Sequence, residues 1–112
     1  MEFRQISDNY SVAVQITSDQ IATIKAAGFK SIICNRPDNE QPGQPSADEI
    51  RKAAEAEGLG FRHVPVISGQ PATPDDVAAM ASALKELEGP VFAYCRSGAR
   101  STNLFLAVQA ES

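Results

Sequence analysis

Val91-Phe92-Ala93-Tyr94-Cys95-Arg96-Ser97-Gly98-Ala99-Arg100-Ser101 compresses a strand, a turn and the approach to a helix into one short stretch. The apolar run Val91 to Tyr94 predicts a buried strand, and the largely apolar Thr102 to Ala110 predicts a helix, so Cys95 to Ser101 is expected to be the turn between them. The first N–H groups of a helix lack intrahelical partners and carry the positive end of its dipole, which makes this turn an anion cradle. Arg96 and Arg100 add two cations close to Cys95, surroundings of the kind that favour thiolate over thiol. Gly98 frees the backbone to turn its amides inward. The turn therefore predicts a nucleophilic cysteine facing an oxyanion site.

Working outward, Gly89-Pro90 closes the preceding helix, in which Val77, Met80, Ala81, Leu84 and Leu87 keep the helical period behind the cap Thr73-Pro74. Phe61 to Val66 predicts a strand that ends at Pro65 or runs where the missing donor is not needed. Ser46 to Glu49 has the spacing of a capping box and opens a helix ending at Gly58. Ser31 to Cys34 predicts a buried strand, followed by a long loop from Asn35 to Pro45. Thr17 and Gln20 predict a second capping box for a first helix that stops at Gly28. Phe3 to Ile6 and Tyr10 to Val14 flank the turn Ser7-Asp8-Asn9 and predict an antiparallel edge hairpin.

This order, with helical crossovers between strands, implies an α/β fold: a mainly parallel sheet with helices on both faces. Sites in such sheets form beyond the strands' carboxyl ends, where the Asn35, Ile67 and Cys95 loops are expected to meet. At 112 residues the chain is expected to be one domain, residues 1–112. Its formal net charge of −4 and absence of a basic face argue against nucleic acid as partner. No apolar run is long enough to span a bilayer and no signal-peptide layout is visible, which gives a cytoplasmic expectation. Two cysteines and one histidine suit neither a disulfide framework nor a metal site, and no cofactor is expected.

The turn Cys95 to Ser101 resembles the active-site loop of rhodanese-type sulfurtransferases, in which Cys and Arg bracket four residues. The frame around it resembles the small dual-specificity phosphatase fold, Phe61-Arg62-His63-Val64-Pro65-Val66 being similar to the strand before that fold's general-acid loop. Together with Asn35-Arg36-Pro37-Asp38 and Gln44-Pro45-Ser46, nearly the whole chain resembles a bacterial family, the phosphatase-like domain of beta-lactamase-hydrolase-like proteins, also described as sulfur transferases. The resemblance implies a cysteine-phosphatase-like fold. It also implies a neighbouring partner of metallo-β-lactamase-like or sulfide-oxidising type, or a thiol acceptor.

Two departures bear on the chemistry. A tyrosine-phosphatase loop has one more residue between Cys and Arg than this one, and two residues after Val66, where that fold places its acid, stands Ser68. Sulfur transfer needs no general acid, because its leaving group is already a stable anion or thiolate. The first expectation is thus sulfane-sulfur transfer from thiosulfate or a small persulfide, with Cys95 as nucleophile and Arg100 holding the oxyanion. Arg96, Ser97, Gly98, Ala99 and Ser101 complete the anion cradle. The alternative is phosphomonoester hydrolysis through a phosphocysteine, with Asp38, Asp75 or Asp76 as substitute acid, and a further alternative is a non-catalytic anion-binding or redox-sensing module. Cys34 reads either as a core residue or as a resolving thiol, and Asn35, Arg36 and Asp38 as a layer behind the site or a loop-stiffening set.

Overall fold

The computed structural model describes residues 1–111. Strands β1 (Arg4–Ser7) and β2 (Tyr10–Ala13) form the expected antiparallel hairpin. They are followed by a 3-10 turn (Ser18–Gln20), α1 (Ile21–Ala26), β3 (Ser31–Cys34), α2 (Ala47–Ala56), β4 (Gly60–His63), α3 (Pro74–Glu86), β5 (Val91–Tyr94) and α4 (Ala99–Glu111). The sheet order is β1-β2-β5-β3-β4, with β2, β5, β3 and β4 parallel.

Alternation along the central strands divides the core between the two faces. Ile32, Phe92 and Tyr94 pack with Ile21, Ile24, Ile50 and Ala54 of α1 and α2. Their neighbours Ile33, Val91 and Ala93 pack with Val77, Met80, Leu104 and Phe105 of α3 and α4. Chain therefore leaves the adjacent strands β3 and β5 toward opposite faces, and the crevice at their carboxyl ends is where such sheets hold ligands.

Local signals account for the helix starts. The Thr17 N–H donates to Gln20 Oε1 at 3.0 Å, and Thr73 and Asp76 exchange hydrogen bonds of 2.9 and 3.1 Å. At α2 only half the expected box forms: Ser46 Oγ accepts from the Glu49 N–H at 3.1 Å. Asp38 does the remaining work, its Oδ1 accepting from the Ala47 N–H at 2.8 Å. Ladder bonding continues past β4, with the Val64 and Val66 N–H groups donating to the Cys34 and Asn35 carbonyls, so the missing donor of Pro65 falls on the sheet's open side.

The principal correction concerns the central stretch. The final helix begins at Ala99, not Thr102, so the turn is only Cys95 to Gly98 and Arg100 and Ser101 belong to the first helical turn. Tyr10 secures that turn to β2: its ring stacks on Phe105 with centroids 4.1 Å apart, and its buried hydroxyl donates to the Ser101 carbonyl at 2.8 Å. Replacing Tyr10 with Phe removes one net hydrogen bond while retaining the ring, and urea titration is expected to show a loss of about 1 kcal/mol in unfolding free energy. An unchanged midpoint would mean that this bond does not hold the helix in place.

Candidate functional site

Cys95 continues β5 and is fully buried, 0% exposed, with its N–H donating to the Ala13 carbonyl at 3.4 Å. The turn that follows folds back over it, so that the Gly98 N–H points at Cys95 Sγ at 3.1 Å. Gly98 adopts φ +92°, a left-handed conformation in which any side chain would be strained. The thiol thus faces an amide at the N-terminal end of α4.

Arg100 projects from the first turn of α4 into a network drawn from three other loops. Its Nη1 donates to Glu40 Oε2 at 2.7 Å and to the Val66 carbonyl at 2.8 Å, and its Nη2 donates to Glu40 Oε1 at 2.9 Å. A guanidinium has five N–H donors, and these three bonds leave Nε–H and one Nη2–H, the pair that forms its side-on fork, with the Cys95 side chain within interacting distance of the guanidinium. Glu40 also takes the Nε of Arg36 at 2.8 Å, and Arg36 continues to Gln15 Oε1 at 3.0 Å and Gln41 Oε1 at 3.1 Å. Arg36 is 2% exposed, a charge held inside the protein by these partners.

Two arginines on one carboxylate hold Glu40 well below the usual range, at about 2, with the Arg100 hydrogen bond the largest cause and Arg36 adding to it against desolvation. The same pairing holds Arg100 more firmly in its charged form, Glu40 first and Cys95 last among the groups favouring it.

Of the residues expected behind the site, Arg36 reaches it through Glu40. Asn35 reaches it through backbone: its carbonyl accepts from the Val66 N–H at 3.0 Å while Val66 in turn accepts from Arg100. Asn35 Nδ2 donates to the Val64 carbonyl at 2.9 Å. Asp38 is not part of the site, since it is committed to the α2 N-terminus.

A cavity of about 500 Å³ opens beside the turn, lined by Ser68, Gly69, Gln70, Arg96, Ser97, Ala99, Arg100 and Asn103. Among the described residues no carboxylate lines it. Asp76 is occupied with Thr73, and neither it nor Asp75 borders the cavity, so none of the three aspartates stands where a substitute acid would. Arg96 and Ser97 are exposed, and the Ala99 N–H is turned to Ser97 Oγ at 3.4 Å. Ser101 Oγ is buried without a hydrogen-bond partner among the described residues.

Cys34 shares a face with Tyr94 rather than with the cavity; its Sγ donates to the Arg36 carbonyl at 3.3 Å, and burial pushes the thiol up. The carbonyl of Arg36 also receives His63 Nε2 at 2.9 Å. Glu40, Gln15 and Gln41 are site residues that the sequence reading does not single out. The available signal is Glu40 four residues after Arg36 in the loop following β3.

Comparison with known proteins adds the following. Residues 2–112 match the family described as beta-lactamase hydrolase-like protein, phosphatase-like domain. A beta-lactamase hydrolase-like protein from Agrobacterium fabrum is 38% identical over 110 residues, covering 98% of this chain but 25% of that protein, so the chain spans about a quarter of the length of this relative. A crystal structure of a candidate phosphatase from Neisseria meningitidis superposes with a TM-score of 0.82 at 34% identity, covering 91% of this chain and 72% of the other. Tk-PTP, crystallised in a mutant form, shares the fold at a TM-score of 0.68 with 14% identity, covering 87% and 62% of the two chains.

Because Glu40 has a folded pKa of about 2 against an ordinary 4.5, it stabilises the protein above pH 4.5 and that contribution is lost as pH falls toward 2. Urea unfolding at a series of pH values is expected to show this acid limb in wild type and a shallower one in Glu40→Gln. Equal limbs would sink the assignment.

Proposed function

The chain belongs to the phosphatase-like domain family of beta-lactamase hydrolase-like proteins, and from that premise we propose that it is a cysteine-dependent hydrolase of phosphate monoesters. One observation carries this reading. Glu40 and the Val66 carbonyl fix the Arg100 guanidinium so that its Nε–H and Nη2–H edge is left for an oxyanion, in the first turn of the helix that follows the short turn whose Gly98 N–H meets the Cys95 sulfur.

The chemistry follows from these groups. The Cys95 thiolate attacks phosphorus, forming the S–P bond as the bond from phosphorus to the ester oxygen breaks. That oxygen departs with the electron pair and takes a proton from water. Water then attacks the phosphocysteine and releases orthophosphate, returning the thiolate. Arg100, with the α4 N-terminal amides, stabilises the charge that spreads over the equatorial oxygens. Because no carboxylate among the described residues lines the cavity, the leaving oxygen receives no protonation from a side-chain acid there. Substrates with acidic leaving groups, such as aryl phosphates, are favoured.

That same lack of a carboxylate supports a second reading, sulfane-sulfur transfer, which the Cys95 to Arg100 spacing also suits. Here the thiolate attacks the outer sulfur of thiosulfate, an S–S bond forms at Cys95 as sulfite leaves with the electron pair, and an acceptor thiol removes the sulfur. The family and the structural likeness support phosphoryl chemistry over this one. Sulfur transfer, the first expectation from the sequence, therefore becomes the second reading. Which protein or domain works beside this chain is a separate proposal: relatives about four times its length make a covalently or non-covalently associated hydrolase the partner to seek. Among the described residues no helix is long and apolar enough to cross a membrane.

Wild type is expected to release phosphate from aryl phosphates at rates that rise steeply with leaving-group acidity, and Cys95→Ser to release none. Arg100→Lys, which cannot keep both the Glu40 pair and a side-on fork, is expected to lower kcat/KM by roughly a hundredfold. Intact mass after rapid quench distinguishes the chemistries. A gain of one phosphoryl group supports hydrolysis, whereas a gain of one sulfur from thiosulfate without any phosphate release would replace it with transfer.

A further inference from the structure

On the far side of Arg96 lies a second cavity that the hydrolytic step does not use. It measures about 420 Å³, and its wall includes Val14, Arg36, Gln41, Gly43, Gln44 and Arg96. Arg96 also lines the cavity at Arg100, so the two adjoin across one side chain.

Charge is distributed unevenly between them. Arg36, Arg96 and Arg100 supply three positive charges and Glu40 one negative, leaving +2 in a chain whose formal net charge is −4. Asp38, turned to the Ala47 N–H but felt electrostatically at Cys34 and Tyr94, offsets part of this excess and leaves the surroundings still positive. Arg36 gives one donor to Glu40 and two to the neutral amides of Gln15 and Gln41, which leaves one hydrogen on each Nη of a side chain that is 2% exposed. Glu40 meets the charge of Arg36 but is shared with Arg100, so the two guanidiniums together carry one more charge than that carboxylate neutralises, which favours a further anion beside them. A phosphate at Cys95 would answer Arg100. It would not answer Arg36.

We propose that the Arg36 and Arg96 cavity receives a second anionic group of the substrate, phosphate or carboxylate, and that the protein acts on small molecules carrying two anions rather than on isolated monoesters. The reading rests on the proposed hydrolysis only for what happens at Cys95; recognition of the second anion is a matter of binding. The exposed Gln41 amide and the exposed Arg96 add polar groups suited to an oxyanion, Gln44 being engaged with Pro37 and the Glu40 N–H, while Val14 forms an exposed apolar edge.

The test compares aryl phosphates bearing a carboxylate or a second phosphate on tethers of graded length with the same compounds ending in a neutral amide. One charge-assisted contact predicts a kcat/KM preference of roughly tenfold for the best tether, diminishing as ionic strength rises. Comparing the carboxylate and phosphate series identifies which anion is preferred. Val14→Glu places a carboxylate at the cavity mouth, on a side chain outside the proposed chemistry. It is expected to erase the preference between charged and neutral tails, and a preference left intact would count against the site. Calorimetric binding of the same compounds to Cys95→Ser separates recognition from turnover. Turnover without any preference, in rate or in binding, overturns the second-anion site and leaves the hydrolase reading intact. Preferential binding without turnover by wild type leaves the site intact and overturns the hydrolase reading. Equal binding and no turnover overturn both.

Discussion

A guanidinium held at 2% exposure is tolerable only if its charge is met, and in this protein the meeting point is Glu40. That single carboxylate bonds to Arg36 from the end of β3 and to Arg100 from the start of α4. Arg36 reaches Gln15, just after β2, and Arg100 reaches the Val66 carbonyl, just after β4. The chain emerging from each of the four parallel strands is thereby tied to one ion cluster at the carboxyl edge of the sheet. Loops that would otherwise move independently are held in the relation the Cys95 turn requires. Since Glu40 is not fully enclosed, with 20% of its side chain exposed, the cluster stays in contact with water and with any anion that enters.

The sheet explains why the proposed nucleophile comes from β5 in particular. This strand lies between β2 and β3, is buried along its whole length, and contributes Phe92 and Tyr94 to one core and Val91 and Ala93 to the other. A residue at its carboxyl end inherits the rigidity of two packed layers. Cys95 accordingly has no exposed surface, and what touches the cavity is the chain after it, Arg96 and Ser97 of the turn and Ala99 and Arg100 of the first helical turn. Rigidity at the sulfur and openness at the turn are complementary requirements of an anion site, because preorganised donors gain from not having to rearrange.

Much of this is legible in the residues because the signals are local. The apolar quartet Val91 to Tyr94, the caps Thr17, Ser46 and Thr73, and the turn at Ser7-Asp8-Asn9 each fix a few neighbouring residues, and their sum gives the element order. The start of α4 is misplaced because Gly98 reads as loop, whereas its positive φ lets the helix begin directly behind it. Asp38 looks available because nothing nearby in sequence claims it; its partner, the Ala47 N–H, lies nine residues away. Glu40 is hidden more thoroughly. A separation of 60 residues divides it from Arg100, so no spacing rule couples them, and its role emerges only when parallel strands bring their loops together. The general lesson concerns Arg36: a cation next to a buried strand end implies a carboxylate, and the loop that follows is the place to look.

The remaining question of chemistry turns on a proton. Attack by Cys95 on phosphorus or on a sulfane sulfur would use the same amides, the same guanidinium edge and the same buried sulfur, so neither the turn nor the ion cluster discriminates between them. What differs is the leaving group. Sulfite or a thiolate leaves as a stable anion, whereas an alkoxide leaves poorly unless a proton arrives with the bond cleavage. With Ser68 and Gln70 lining the cavity where an acid would serve, and Asp38 and Asp76 each holding a helix start, unactivated alkyl phosphates are disfavoured. An acidic oxygen needs little help. A phosphatase built this way would be selective by leaving group as well as by binding, and a second anion anchored at Arg36 would supply affinity that a weakly assisted reaction cannot obtain from the phosphate alone.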